Sequence, residues 1–136
     1  MKKLILLSAL LSACQVSETK KENNSPHQKL FEEVMAIHDE VMPSHHIIAK
    51  YRDTLTMELQ ELEKQKDTAK IGKFKQIHQE LDYAYKAMDL WMREFDENWD
   101  KKSPDEQKAY LEKEKEKISK VSEKMKKSLE MAKSRK

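Results

Sequence analysis

The strongest constraint on this chain is the spacing of its apolar residues between positions 74 and 95. Phe74, Ile77, Leu81, Ala84, Met88, Trp91 and Phe95 follow one another at alternating intervals of three and four residues. That period places all seven side chains on one face of an α-helix and would scatter them over both faces of a strand. Beside the row run His78, Tyr85, Met92 and Trp99, seven apart, which widens the apolar face until it suits neighbours on two sides. A helix with two neighbours calls for a bundle of at least three.

The rest of the chain supplies the other two. Leu30, Val34, Ile37, Val41, Ile48, Leu55, Leu59 and Leu62 recur at spacings of three, four or seven, and His45 and Arg52 fill seam positions with polar groups. Ser25-Pro26 reads as an N-cap followed by the first helical position. A break is expected near Lys66-Asp67-Thr68. Ser103-Pro104-Asp105-Glu106 is a capping box with Pro at the first helical position. The stripe that follows it (Leu111, Ile118, Val121, Met125, Leu129, Ala132) is thinner, and its far end is expected to fray. A single glycine, three prolines and 38% charged residues fit a helical protein with a slender core. The spacing therefore predicts an all-α fold: a three-helix antiparallel up-down-up bundle over 26–136, with helices over about 26–66, 70–100 and 104–134. The first helix is expected to kink near Pro43, which lacks an amide hydrogen and crowds the carbonyl of Asp39.

The first 25 residues do not belong to that pattern. Lys2 and Lys3 precede an apolar run from Leu4 to Leu11, far short of the roughly 20 residues that cross a bilayer. It reads as a secretory signal peptide over 1–13. Leu11-Ser12-Ala13-Cys14 then resembles the lipobox of bacterial lipoproteins. The resemblance implies that the Cys14 thiol is diacylglycerylated, that the chain is cut before it, and that the new amino group is acylated by a palmitate-like chain. Residues 15–25, QVSETKKENNS, are polar and aperiodic and suit a flexible tether. Two or three acyl chains, at about 0.8 kcal/mol per buried methylene, anchor stably where one would be marginal. Cys14 is the only cysteine, so the chain offers no disulfide framework, zinc ribbon or thiol nucleophile. The expected location is the cell envelope, membrane-anchored without spanning, periplasmic or surface-exposed. Gln15 directly after the cysteine points by analogy to the outer membrane.

Removing the signal peptide leaves 25 basic and 25 acidic side chains, unevenly spread. Residues 15–100 hold 12 basic against 18 acidic, and residues 101–136 hold 13 against 7. Either a basic last helix lies against two acidic ones, or the KMKKSLEMAKSRK end meets anionic lipid or an envelope polymer. Nucleic acid is not an expected partner in this compartment. Self-association is expected as one way to complete the thin third stripe.

One stretch could carry chemistry. AIHDEVMPSHHI (36–47) holds three of the five histidines around Pro43. A second strip on the first helix, Phe31, Met35, His38, Met42 and His46, gathers thioethers and imidazoles on one face. An antiparallel register with the turn near residue 68 sets His45 and His46 opposite Leu90 and Trp91, close to Met88 and Met92. Met35, His38, Met42, His45, His46, Met88 and Met92 are thus candidate ligands for a soft metal, above all copper as Cu(I). The alternative is packing alone, since Met is a common filler of helical cores and His38 or His45 could bond the carbonyl freed by Pro43. Asp82, Asp89 and Asp96, seven apart, read as a solvated face beside the seam. No Glu-x-x-His, His-Glu-x-x-His or glycine-rich loop occurs, which disfavours di-iron, zinc-protease and phosphate-loop chemistry.

IHDEVMP (37–43) and AMDLWMREF (87–95) resemble motifs in a group of short helical bacterial lipoproteins, some labelled "viral A-type inclusion protein". The resemblance implies a helical lipoprotein and supplies no catalytic residue. The functional expectation is a non-enzymatic binding or structural module. It would meet an envelope protein or polymer through the third helix or through an aromatic face around Tyr85, Trp91 and Trp99. A copper-type binding protein is the alternative.

Overall fold

The computed structural model describes residues 25–135. The expected signal segment, the expected lipobox with Cys14 and most of the expected tether lie outside them. Three helices follow in order: α1 (Gln28–Gln65), α2 (Thr68–Glu94) and α3 (Pro104–Lys133), with a 3-10 turn at Trp99–Lys101 between the last two. Every helix packs on both others. The ion pairs Glu33–Lys115, Glu40–Lys126 and Glu58–Arg135 run in the same sense along α1 and α3. His45–Asp89, Arg52–Asp82 and Glu63–Lys75 run in opposite senses along α1 and α2. The fold is the expected up-down-up bundle.

Local chemistry explains the element ends, and twice corrects the expected ones. Ser25 is not the N-cap of α1. Its hydroxyl accepts the His27 N–H (3.3 Å) and donates to Gln107 Oε1 (2.6 Å), and the helix begins after one turn, at Gln28. Lys66 ends α1 in the left-handed region (φ 59°), where its N–H and that of Asp67 close on Glu63 and Leu62 carbonyls. Asp67 then caps α2 by accepting the Lys70 N–H. The second correction concerns α2, which stops at Glu94 instead of continuing to 100. Phe95 is extended, and the Asp96 carboxylate takes the Asn98 N–H at 3.0 Å, a side-chain turn that competes with helix. The capping box at α3 forms, with Glu106 accepting both the Ser103 N–H (3.0 Å) and its hydroxyl (2.6 Å). Pro43 lies exposed within α1, which continues unbroken past it.

Val34, Val41, Ile48 and Leu55 of α1 are buried, strictly seven apart, against Ile77, Leu81, Ala84, Met88 and Trp91 of α2. From α3 come Ile118, Val121, Met125, Leu129 and Ala132, with Leu111 buried towards its start. The thin stripe of α3 is completed by small groups, Ser122 and Ser128, and by Glu114, only 2% exposed and held by Lys117 at 2.8 Å. Far from fraying, the end of α3 is pinned, because Arg135 makes two hydrogen bonds to the Glu58 carboxylate at 2.8 and 2.9 Å. All three helices share one core.

The two ends differ. Where the chain enters, Phe31, Phe95, Trp99 and Tyr110 close the core as a stack of rings, with Phe31 and Trp99 centroids 5.0 Å apart. Buried Gln107 clamps this end by donating to the Asp100 and Lys102 carbonyls while accepting from Ser25. Burial pushes the Tyr110 phenol up, against the pull of the Asp96 N–H donated to its oxygen at 2.7 Å. At the α1–α2 turn, by contrast, Leu62 and Phe74 stay half-exposed and border an open cavity of about 360 Å³.

Candidate functional site between the first two helices

The α2-facing row of α1 consists of Phe31, His38, His45 and Arg52, seven apart, and each meets an aromatic ring. Phe31 packs on Phe95 and Trp99, and His38 lies 5.4 Å from Trp91. His45 stacks on Tyr85 at 3.9 Å, and the Arg52 guanidinium sits 4.8 Å from the centre of the same ring. Tyr85 is therefore gripped by two cationic or polar side chains one heptad apart. The spacing that leaves polar residues in an apolar seam is what aims them at the same ring.

Of the aspartates seven apart, Asp82 and Asp89 on α2 are partners of this row and Asp96, just beyond α2, pairs with Lys102, so they are not a free solvated face. Arg52 pairs with Asp82 at 2.6 Å, and Lys86 approaches the other carboxylate oxygen at 2.6 Å. The Lys86 hydrogen bond, and then the Arg52 charge, hold the Asp82 carboxyl below its ordinary value. Asp89 lies 3.0 Å from His45 Nε2, close enough for an ion pair but off the N–H axis, so that nitrogen lacks an aligned hydrogen bond. Asp96 pairs with Lys102 at 2.8 Å; that hydrogen bond and the Asn98 N–H lower its carboxyl too. One turn from Asp82, His78 Nε2 lies 3.2 Å from Thr56 Oγ1, whose proton is committed to the Arg52 carbonyl. The result is a continuous polar ladder along one edge of the α1–α2 interface.

The expected ligand residues do not share one environment. Met88 is sealed in the core at 0% exposure, while Met35 and Met42 pack half-buried against it. His46 and Met92 are on the surface, Met92 at 37% exposure. His38 Nδ1 bonds the Asp39 carboxylate at 2.8 Å, and His45 faces Asp89, so neither ring serves the carbonyl freed by Pro43. The register brings MPSHH and MDLWM together within a turn of the expected pairing, yet it aims the His45 ring at a carboxylate and a phenol. Among the described residues, no three His, Cys, Asp or Glu side chains gather at metal-binding distance.

The aromatic face expected to meet a partner is also differently placed. Trp91 and Trp99 are core residues, 6% and 3% exposed, and Tyr85 is half-covered by its two neighbours. The large apolar side chains that do reach solvent include Met57, Tyr83 and Leu90, scattered over α1 and α2. No helix among the described residues is long and apolar enough to cross a membrane. No family model matches this chain, and neither a curated protein nor a solved structure does so.

Proposed function

We propose that this chain is a lipid-anchored cell-envelope protein, held by acylated Cys14, whose bundle acts as a non-enzymatic binding or structural module. The observation that carries the reading is the direction of the bundle relative to the lipobox. The chain enters at the end closed by Phe31, Phe95, Trp99 and Tyr110. An anchor at Cys14 therefore presents the opposite end, with the α1–α2 turn and the end of α3, away from its membrane. At 1.5 Å per residue, the 38 residues of α1 make a rod about 57 Å long. The tether adds at most about 40 Å when extended.

The charge distribution supports the same orientation. Residues 94–106, at the tethered end, hold six acidic side chains against two lysines. Residues 64–75, at the far end, hold five lysines against one aspartate, and residues 124–135 five cations against one glutamate. Anionic lipid repels the first end, and an acidic envelope protein or polymer attracts the second. The copper-type alternative gains no support from this geometry, with His38 and His45 facing carboxylates and Met88 sealed in the core.

Metabolic labelling with an alkyne-bearing fatty acid, followed by mass analysis of the N-terminal peptide, tests the anchor. Labelled Cys14 and membrane fractionation, both lost in Cys14→Ser, are the expected results. An unmodified thiol, or membrane association that survives Cys14→Ser, would overturn the proposal.

A further inference from the structure

The far end of the bundle is built differently from the rest. Leu62 and Phe74 are half-exposed, as Leu30, Ile37 and Leu59 are elsewhere in the seams, but here they border a cavity of about 360 Å³. That volume falls in the range of small-molecule sites, about 300–1,000 Å³. Leu62, Phe74 and the aliphatic stems of charged side chains supply its apolar surface, and Lys70, Lys73, Arg135, Glu58 and Glu61 its charges, with Glu61 paired to Lys64 at 3.4 Å. Arg135 is neutralised by Glu58, which it pins with two hydrogen bonds. Lys70 and Lys73 are spent less fully: Lys70 stands 3.6 Å from Asp67, and Lys73 only reaches the Arg135 carbonyl at 3.3 Å. Both are exposed and border the cavity, Lys70 on the face of α2 that carries Phe74, one turn before it, and Lys73 beside Phe74 in the chain.

We infer that this cavity is a binding site for a small amphipathic anion, with its apolar body on Leu62 and Phe74 and its carboxylate or phosphate head between Lys70 and Lys73. Charge and shape select the same ligand. An apolar cavity alone would accept any greasy group, and two lysines alone any anion. Their juxtaposition favours a molecule that carries both, because burying its tail brings its head to cations that cost little to desolvate at a rim. The Glu58–Arg135 lock holds the end of α3 against α1 and so keeps the third wall in place. The inference rests on the binding-module reading but not on the anchor, and the labelling experiment above can fail without affecting it.

The test uses residues 15–136, which contain all three helices and the whole of their shared core. Dodecanoate and dodecyl phosphate, below their micelle concentrations, are titrated by calorimetry and by amide NMR shifts. Saturable one-to-one binding by either is expected, with shifts confined to Glu58–Phe74 and Met131–Arg135; the tighter ligand identifies the head group. Acetate and dodecyltrimethylammonium should not bind, since each lacks one half of the chemistry. The double variant Lys70→Glu, Lys73→Glu lies on the surface and should keep its circular dichroism while losing affinity at least about tenfold. Leu62→Trp should fill the cavity and compete with the tail, giving a second route to the same loss. Absence of saturable binding, equal binding of the cationic detergent, shifts spread along the rod, or unchanged affinity in the charge-reversed variant would each overturn the inference.

Discussion

Glu58 and Asp82 show how single side chains hold this bundle. The Arg135 hydrogen bonds keep the Glu58 carboxyl below its usual range, and Lys86 with Arg52 does the same for Asp82. A carboxyl whose folded pKa is depressed contributes stability above its unfolded value, about 4.3 for Glu and 3.9 for Asp. That contribution disappears as pH falls through the lowered folded value. Unfolding free energy measured against pH should therefore be level near neutrality and decline below about pH 4.5. Glu58→Gln should lower stability near neutrality and flatten the acid limb, because the variant has less to lose on protonation. Identical acid limbs in the two proteins would show that Arg135 does not hold Glu58. The sequence displays Asp82, Asp89 and Asp96 at heptad spacing, but spacing says which face they share and not what stands across from it. Their partners His45, Arg52 and Lys102 come from other elements.

Among the elements, α1 carries the clearest sequence cost. Pro43 is exposed inside it and cannot donate to the Asp39 carbonyl. Pro43→Ala should stabilise the protein by about 1–3 kcal/mol, read as a higher denaturant midpoint with an unchanged slope. Gly72 offers a milder gain in α2. A Cβ built there meets no atom within 4 Å, so Gly72→Ala should add about 0.5–1 kcal/mol. A loss at Gly72 would mean that α2 is not helical at its first turns. The α2 terminus shows why element ends were harder to read than elements. Phe95 and Trp99 continue the apolar period, and both do enter the core, but Trp99 arrives through a 3-10 turn. The usable signal was Asp96-Glu97-Asn98, whose Asp and Asn side chains compete for backbone N–H groups.

As a whole molecule, the bundle has one core shared by three mutually packed helices. Thermal unfolding followed by tryptophan fluorescence, which reports Trp91 and Trp99, should coincide with unfolding followed by far-ultraviolet circular dichroism. Separate transitions would mean that α3 detaches before the α1–α2 pair. Trp99→Ala should cost about 3–5 kcal/mol by opening the closed end, and its transition should remain single.

The sequence alone determined the helical class, the number of helices, their antiparallel order and most of the buried seam positions, because helical period is a local property of the chain and short connections force neighbouring helices to run antiparallel. Tertiary structure alone decided what the interesting residues face. It sent His45 to Asp89 and Tyr85, set Trp91 and Trp99 inside instead of on a partner surface, and left an unsealed, lysine-rimmed cavity at one end. Each depends on how far one helix is rotated and shifted against another, a quantity set by the packing of all three together and carried by no single segment.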